Sequence, residues 1–147
     1  MARRPTRRPI EDGYFTIPEE PGEAPRLLGS RCQACGEHFF PRRVVCARCL
    51  AEGCEDVLLG PRGHIYTWTY VHVPLFAKKD RRVGSYGVAQ VDLPEGPRVQ
   101  SILVGERGDF EVGMALETDL EVLRIDGDDE VVIYRFRPLA ASGTAAS

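Results

Sequence analysis

Apolar and polar residues alternate with a period of two through the second half of the chain. Residues 63–73, GHIYTWTYVHV, are the clearest case. Ile65, Thr67, Thr69, Val71 and Val73 fall on one face, and His64, Tyr66, Trp68, Tyr70 and His72 on the other, as on a β-strand. Residues 86–93 predict a second strand, ending at the turn Pro94-Glu95-Gly96-Pro97. Residues 98–104, 115–125 and 131–139 predict three more. Gly105, Gly108 and Gly113 mark the loop between the third and fourth, and Asp126-Gly127-Asp128 the turn between the last two. No stretch repeats at the helical period, so no crossover helix is available and the strands are expected to run antiparallel.

The expected fold class is all-β. Five antiparallel strands within residues 56–139, several carrying a bend-forming glycine, predict a small closed Greek-key barrel of the OB-fold type, with an open sandwich as the alternative. Closure explains strands that are apolar on one face, because that face fills the barrel. The rest of the chain lacks this period. Residues 1–26 contain Pro5, Pro9, Pro18, Pro21 and Pro25 among many charges and predict an extended arm. Its sizeable apolar side chains, Tyr14, Phe15 and Ile17, are expected to dock on this protein's own fold or on a partner. Residues 140–147 are small and polar and predict a disordered tail.

Residues 27–55 are organised by cysteine. Two C-x-x-C pairs, Cys32/Cys35 and Cys46/Cys49, flank the short segment 36–45. Each pair sets two thiolates on one side of a tight turn, and two such turns facing each other close a tetrahedron around one Zn²⁺. Gly36 follows the first pair where the chain must turn sharply. Residues 38–45 read as two short strands bent at Pro41. The segment therefore predicts a rubredoxin-like zinc ribbon. Four thiolates leave no open coordination position, so the metal is expected to hold the segment folded and to do no chemistry. Disulfides would require an oxidising compartment, and no export signal precedes the cysteines. A thioredoxin-like site would need a single C-x-x-C beside a βαβ pattern. Cys54, the fifth cysteine, reads as a free thiol or a small buried apolar residue. His38 is near enough to compete for the metal.

Composition changes this picture little. The chain has 147 residues, 43% hydrophobic and 28% charged, and a formal net charge of -3. That charge argues against a general nucleic-acid binder. No apolar run is long enough to span a membrane, and the cytoplasm is the expected compartment. Charge is uneven along the chain. Lys78, Lys79, Arg81 and Arg82 form a basic cluster in the predicted loop between the first two barrel strands, and acidic residues dominate 106–130. OB-folds commonly bind ligands with loops at that basic position. Its cations could meet the phosphates of CoA, a partner surface or plain solvent. Tyr66, Trp68 and Tyr70 on one strand face could stack single-stranded bases, although no dense basic track accompanies them. His64, His72 and Asp92 can transfer protons, yet no nucleophile–base motif or phosphate loop accompanies them. No catalytic residues are expected. Phe39, Phe40 and Val44 on the ribbon either form an exposed patch for a partner or cement ribbon to barrel.

Taken together, RCQACGEHFFPRRVVCARC, GHIYTWTYVHVP, YGVAQVDLPEGPRVQ, VGMALE and VVIYRFRPL, in this order, resemble the zinc-ribbon/OB-fold proteins catalogued as domain of unknown function thirty-five. The resemblance covers roughly Leu27 to Pro138. It implies a non-catalytic accessory subunit of an acyl-CoA-processing complex. The implied partner is a thiolase-superfamily enzyme, such as a lipid-transfer-protein-like aldolase of steroid side-chain breakdown, which would carry the catalytic residues in a hetero-oligomer. A subunit of an acetyl-CoA acyltransferase complex is the alternative. The resemblance also implies that the chain could be one domain of a longer hydratase fusion. A helix before the ribbon is usual in the family, but Pro18, Pro21 and Pro25 disfavour one here.

Overall fold

A computed structural model describes residues 6–20, 22–72 and 85–139. Nine strands occur among them: β1 (Thr6–Pro9), β2 (Leu27–Cys32), β3 (His38–Phe39), β4 (Cys54–Leu59), β5 (Arg62–Val71), β6 (Tyr86–Asp92), β7 (Arg98–Leu103), β8 (Ala115–Asp126) and β9 (Asp129–Pro138). The one helical element among them is a single 3₁₀ turn, Arg107–Asp109, in the glycine-marked loop.

The last five strands form the barrel. The sheet runs β9-β7-β6-β5-β8, and a further β8–β9 pairing closes the ring. β9 returns between β7 and β8, antiparallel to β8 and parallel to β7 at the Leu103–Phe136 pair. That return makes the Greek key expected of an OB-fold. The interior is filled from alternate positions. Gly87, Ala89 and Val91 of β6 point inward, as do Val99 and Leu103 of β7, with Leu116 and Phe136 beside them. Gly87 has a packing reason: a Cβ there would lie 2.8 Å from the Phe110 ring. Its absence lets that aromatic ring lie against the strand.

The alternation of β5 is broken. A bulge shifts the register between Ile65 and Thr67, so that Ile65 pairs with Val91 and Thr67 with Gln90. One inserted residue moves every later side chain to the opposite face. Gly63 and Ile65 face inward before the bulge; Trp68 and Tyr70 pack against the core after it. The expected partition, with Ile65, Thr67, Thr69 and Val71 on one face, is therefore corrected.

The ribbon sheet is β3-β2-β4, all antiparallel. β4 begins at Cys54 and runs to Leu59. The second strand expected before residue 45 is reduced to one isolated bridge, Val45–Glu52.

Arm, ribbon and barrel share one core. Phe15 from the arm and Leu27 and Leu59 from the ribbon sheet lie in the same buried cluster as Ile65, Val91 and Phe136. The arm docks on this chain's own body. β1 pairs in parallel with the start of β9. Arg7 binds Glu130 at 3.1 Å and Arg8 binds Asp126 at 2.6 Å. Thr16 N–H donates to Arg26 O at 2.8 Å, and the Arg26 guanidinium donates to Leu59 O at 3.2 Å and Leu58 O at 3.3 Å. At the junction the buried Thr118 hydroxyl lies 2.7 Å from Pro25 O and 2.9 Å from Pro61 O.

Candidate metal centre

The four cysteines expected to bind metal are brought together by two copies of one turn. In the first, Cys32 N–H donates to Glu37 O at 2.9 Å and Gly36 N–H donates to Cys32 O at 2.9 Å. In the second, Cys46 N–H donates to Ala51 O at 3.0 Å and Leu50 N–H donates to Cys46 O at 3.0 Å. In each turn the backbone N–H of the second cysteine points at the sulfur of the first, at 3.5 Å from Cys35 and 3.4 Å from Cys49. The fold requires a left-handed residue at the same place in both turns. Gly36 fills it with φ 79°, and Leu50 with φ 65°. Only the first shows in the sequence, because glycine is its usual signature.

The Sγ atoms of Cys32, Cys35, Cys46 and Cys49 all lie within 4.8 Å of one another. Two of the pairs, Cys32–Cys49 and Cys35–Cys46, are 3.6 Å apart. A zinc tetrahedron with Zn–S bonds of about 2.3 Å has edges of about 3.8 Å, so the set fits Zn²⁺. Cys32 and Cys46 are buried and Cys35 and Cys49 exposed, placing the site at the ribbon tip with one side toward solvent. The backbone hydrogen bond from Cys35 is the main influence lowering the Cys32 thiol to about 6. The Ala51 backbone favours ionisation of Cys49, but its hydrogen bond with Cys32, followed by burial, pushes it up to about 12. Metal-free, the cluster therefore releases its first proton easily and its last with difficulty. A divalent cation removes that obstacle by accepting all four sulfurs as thiolates. Two ion pairs flank the site, Arg31–Glu55 at 3.2 Å and Arg48–Glu37 at 2.9 Å.

His38 lies on β3 and is outside this cluster. Cys54 is partly buried and also outside it, and burial pushes its thiol up.

The other expected site residues separate. Phe40 is part of the ribbon–barrel joint, edge-on to Tyr14 at 6.2 Å and to Tyr134 at 5.9 Å. Phe39 is partly buried beneath the Arg43 guanidinium, 5.1 Å from its ring centroid. Val44 is 75% exposed, with Leu50 at 76% on the same ribbon. Lys78, Lys79, Arg81 and Arg82 lie outside the described residues, as does the tail from residue 140. Trp68 packs edge-on against Phe110 at 5.6 Å, so it is not free to stack a base. Tyr70 donates to Glu106 at 3.4 Å, and burial, then the Glu106 charge, raises its pKa. Tyr66 is exposed but covered by the Arg98 guanidinium, 3.3 Å from its centroid, and Arg98 is itself paired with Asp92 at 2.6 Å. Among the described residues no helix is long and apolar enough to cross a membrane.

A thiolate cage at the tip of a ribbon, built onto an OB-type barrel through a common core, defines a protein with a structural metal site. Comparison with known proteins agrees with that class. Residues 20–55 match the family described as the rubredoxin-like zinc ribbon domain of ChsH2, and residues 56–121 its C-terminal OB-fold domain. A "DUF35 domain-containing scaffold protein" of Methanocaldococcus jannaschii is 35% identical over 77% of this chain and 82% of its own length. The "Benzoylsuccinyl-CoA thiolase subunit BbsA" of Thauera aromatica is 32% identical over 80% of each chain. Among solved structures, the "Ltp2-ChsH2(DUF35) aldolase" superposes with a TM-score of 0.61 at 30% identity, covering 77% of this chain and 84% of that one. The chain belongs to the DUF35 family of zinc-ribbon/OB-fold proteins.

Proposed function

We propose that the chain is a non-catalytic accessory subunit of an acyl-CoA-processing complex whose thiolase-superfamily partner carries the catalytic residues. The observation that carries this reading is the likeness, over about four-fifths of the chain, to a thiolase subunit and to a chain of an aldolase complex. The architecture supports it, since four cysteine sulfurs are placed to cage a metal with no open coordination position. His64 and Asp92 are cross-strand neighbours on the barrel exterior, with Asp92 held by Arg98. The favoured reaction is retro-aldol cleavage of a β-hydroxyacyl-CoA, as in steroid side-chain degradation. There a base on the partner takes the hydroxyl proton, the Cα–Cβ bond breaks, and the electron pair passes to the thioester enolate, which is then protonated. Thiolytic acyl transfer is the second reading, favoured by the likeness to BbsA.

The role assigned to this chain is to hold the partner in its productive shape, as a rigid body fixed at the ribbon by zinc. The test is co-expression with the thiolase-like protein encoded beside it, then assay of each component and of the complex with β-hydroxyacyl-CoA esters. Turnover is expected from the complex and none from this chain alone. Turnover by the isolated chain, or no association between the two proteins, overturns the proposal. Contact of CoA phosphates with Lys78, Lys79, Arg81 and Arg82 is a subsidiary proposal. Unchanged CoA-ester affinity after all four become alanine removes it.

A further inference from the structure

The exterior of the barrel is not uniform. Across β5, β6 and β7 its side chains stand in rows set by the strand register. The first row is His64, Asp92 and Arg98, and it is charged. The next, beyond the β5 bulge, is Thr67, Gln90 and Gln100; the one after is Thr69, Val88 and Ile102. Val71 and Tyr86 follow as a cross-strand pair. Among the described residues of these rows, no ionisable group other than the Tyr86 phenol occurs from the second row onward. The ion pairs of the described surface lie elsewhere: on the ribbon, on the β8–β9 hairpin with the arm, at the start of β5 with β8 and β9, and on the first row itself.

This face is also hollowed. Two shallow hollows of about 190 and 310 Å³ share Val88 and Gln100 as lining, so they form one trough across β5, β6 and β7 that reaches Ile133 and Tyr134 on β9. The first half of β6 is apolar on both sides, with Gly87 and Ala89 in the core and Tyr86 and Val88 on the exterior, while Gln90 and Asp92 make the exterior of its second half polar. A strand apolar on both faces is the pattern of one covered on both faces. A charged margin grading into amides and then into aliphatic side chains is the anatomy of a protein interface, whose centre is depleted in charge.

We infer that this trough, centred on Val88 and Ile102, is the surface that docks the thiolase-like subunit through an uncharged, apolar patch on that partner. The inference rests on the accessory-subunit reading. It names the barrel exterior as the contact, in place of the ribbon patch Phe39, Phe40 and Val44, whose Phe40 is used inside the chain. The occupant is a different protein because relatives similar over four-fifths of this chain bear the names of subunits of such enzymes. Three strands about 4.8 Å apart, over three rows about 6.8 Å apart, give roughly 300 Å². A standard interface buries about 800 Å² per partner, so the trough is its centre and adjoining surface supplies the margin.

The test compares Val88→Glu with Val44→Glu, each checked for zinc content and for an unchanged circular dichroism spectrum. Affinity for the co-expressed thiolase-like subunit is measured by calorimetry, and each chain alone is sedimented. V88E is expected to weaken the complex at least about 100-fold, because it buries an unpaired carboxylate, and V44E less than about threefold. If V88E misfolds, Gln100→Lys at the trough edge replaces it, with at least about tenfold weakening expected. Full affinity in the folded trough variants overturns the inference while leaving the accessory role intact. So does loss of affinity in V44E alone, or a wild-type homodimer that V88E converts to monomer. A wild-type chain that binds no thiolase-like subunit overturns both.

Discussion

Removing the metal is expected to weaken the barrel as well as the ribbon. Leu27 and Leu59 stand on ribbon strands β2 and β4, yet both are 0% exposed and belong to the core cluster that fills the barrel. Burial of one leucine side chain contributes about 1.5–3 kcal/mol. If the ribbon unfolds without zinc, both leucines leave, and the barrel loses about 3–6 kcal/mol. That is a large share of the roughly 5–15 kcal/mol by which a domain is stable. Trp68 is the sole tryptophan and packs against Phe110, so its fluorescence reports the barrel without a label. Urea unfolding followed at Trp68, with and without a chelator, should show the midpoint falling by about 2 M or more on metal removal. Zinc release is read in parallel with a metallochromic dye. A Trp68 transition that moves by less than about 0.5 M after full zinc loss refutes the shared-core argument.

Two further outcomes follow from the same geometry. Thr118→Val keeps the shape but takes the hydroxyl from Pro25 O, whereas Pro61 O retains the Thr118 N–H at 2.8 Å. It should cost about 1–3 kcal/mol in thermal unfolding, with Thr118→Ser milder, and a valine variant as stable as wild type would show that the contact contributes nothing. Metal affinity should rise with pH: Cys49, pushed up to about 12, keeps its proton at neutral pH and must release it to the cation. Competition with a chelator should find the apparent affinity falling at least about tenfold per unit as pH drops from 8 to 6, and a flat profile would contradict the four-thiolate cage.

The parts of the fold fixed by local chemistry were legible in the sequence, and the parts fixed by distant contacts were not. The two C-x-x-C turns carry their geometry within six residues each, as the repeated hydrogen bonds of Cys32 and Cys46 show. The barrel strands were legible because one buried face imposes a period of two, and their ends fell within a few residues of those observed. The β5 bulge was invisible because Tyr66 and Thr67 suit a regular strand, and only the pairing with Val91 and Gln90 shows the extra residue. β1 was invisible for a related reason. Thr6–Pro9 has no apolar pattern and is held by the β9 backbone and by Glu130 and Asp126, more than a hundred positions away. The two roles open to Phe40 could be separated only by seeing Tyr14 and Tyr134 beside it.

The pairing of β1 with β9 also bears on how the protein behaves at high concentration. The β8–β9 hairpin projects beyond the closed ring, and along Asp129–Val132 its outer margin is occupied by the arm. A chain shortened past Pro9 would present that margin bare, with Ile125, already 59% exposed, on the neighbouring strand β8. Bare strand margins recruit other strands. Residues 6–9 thus act as a guard against fibre-like stacking, and trimming them for crystallisation would invite precipitation.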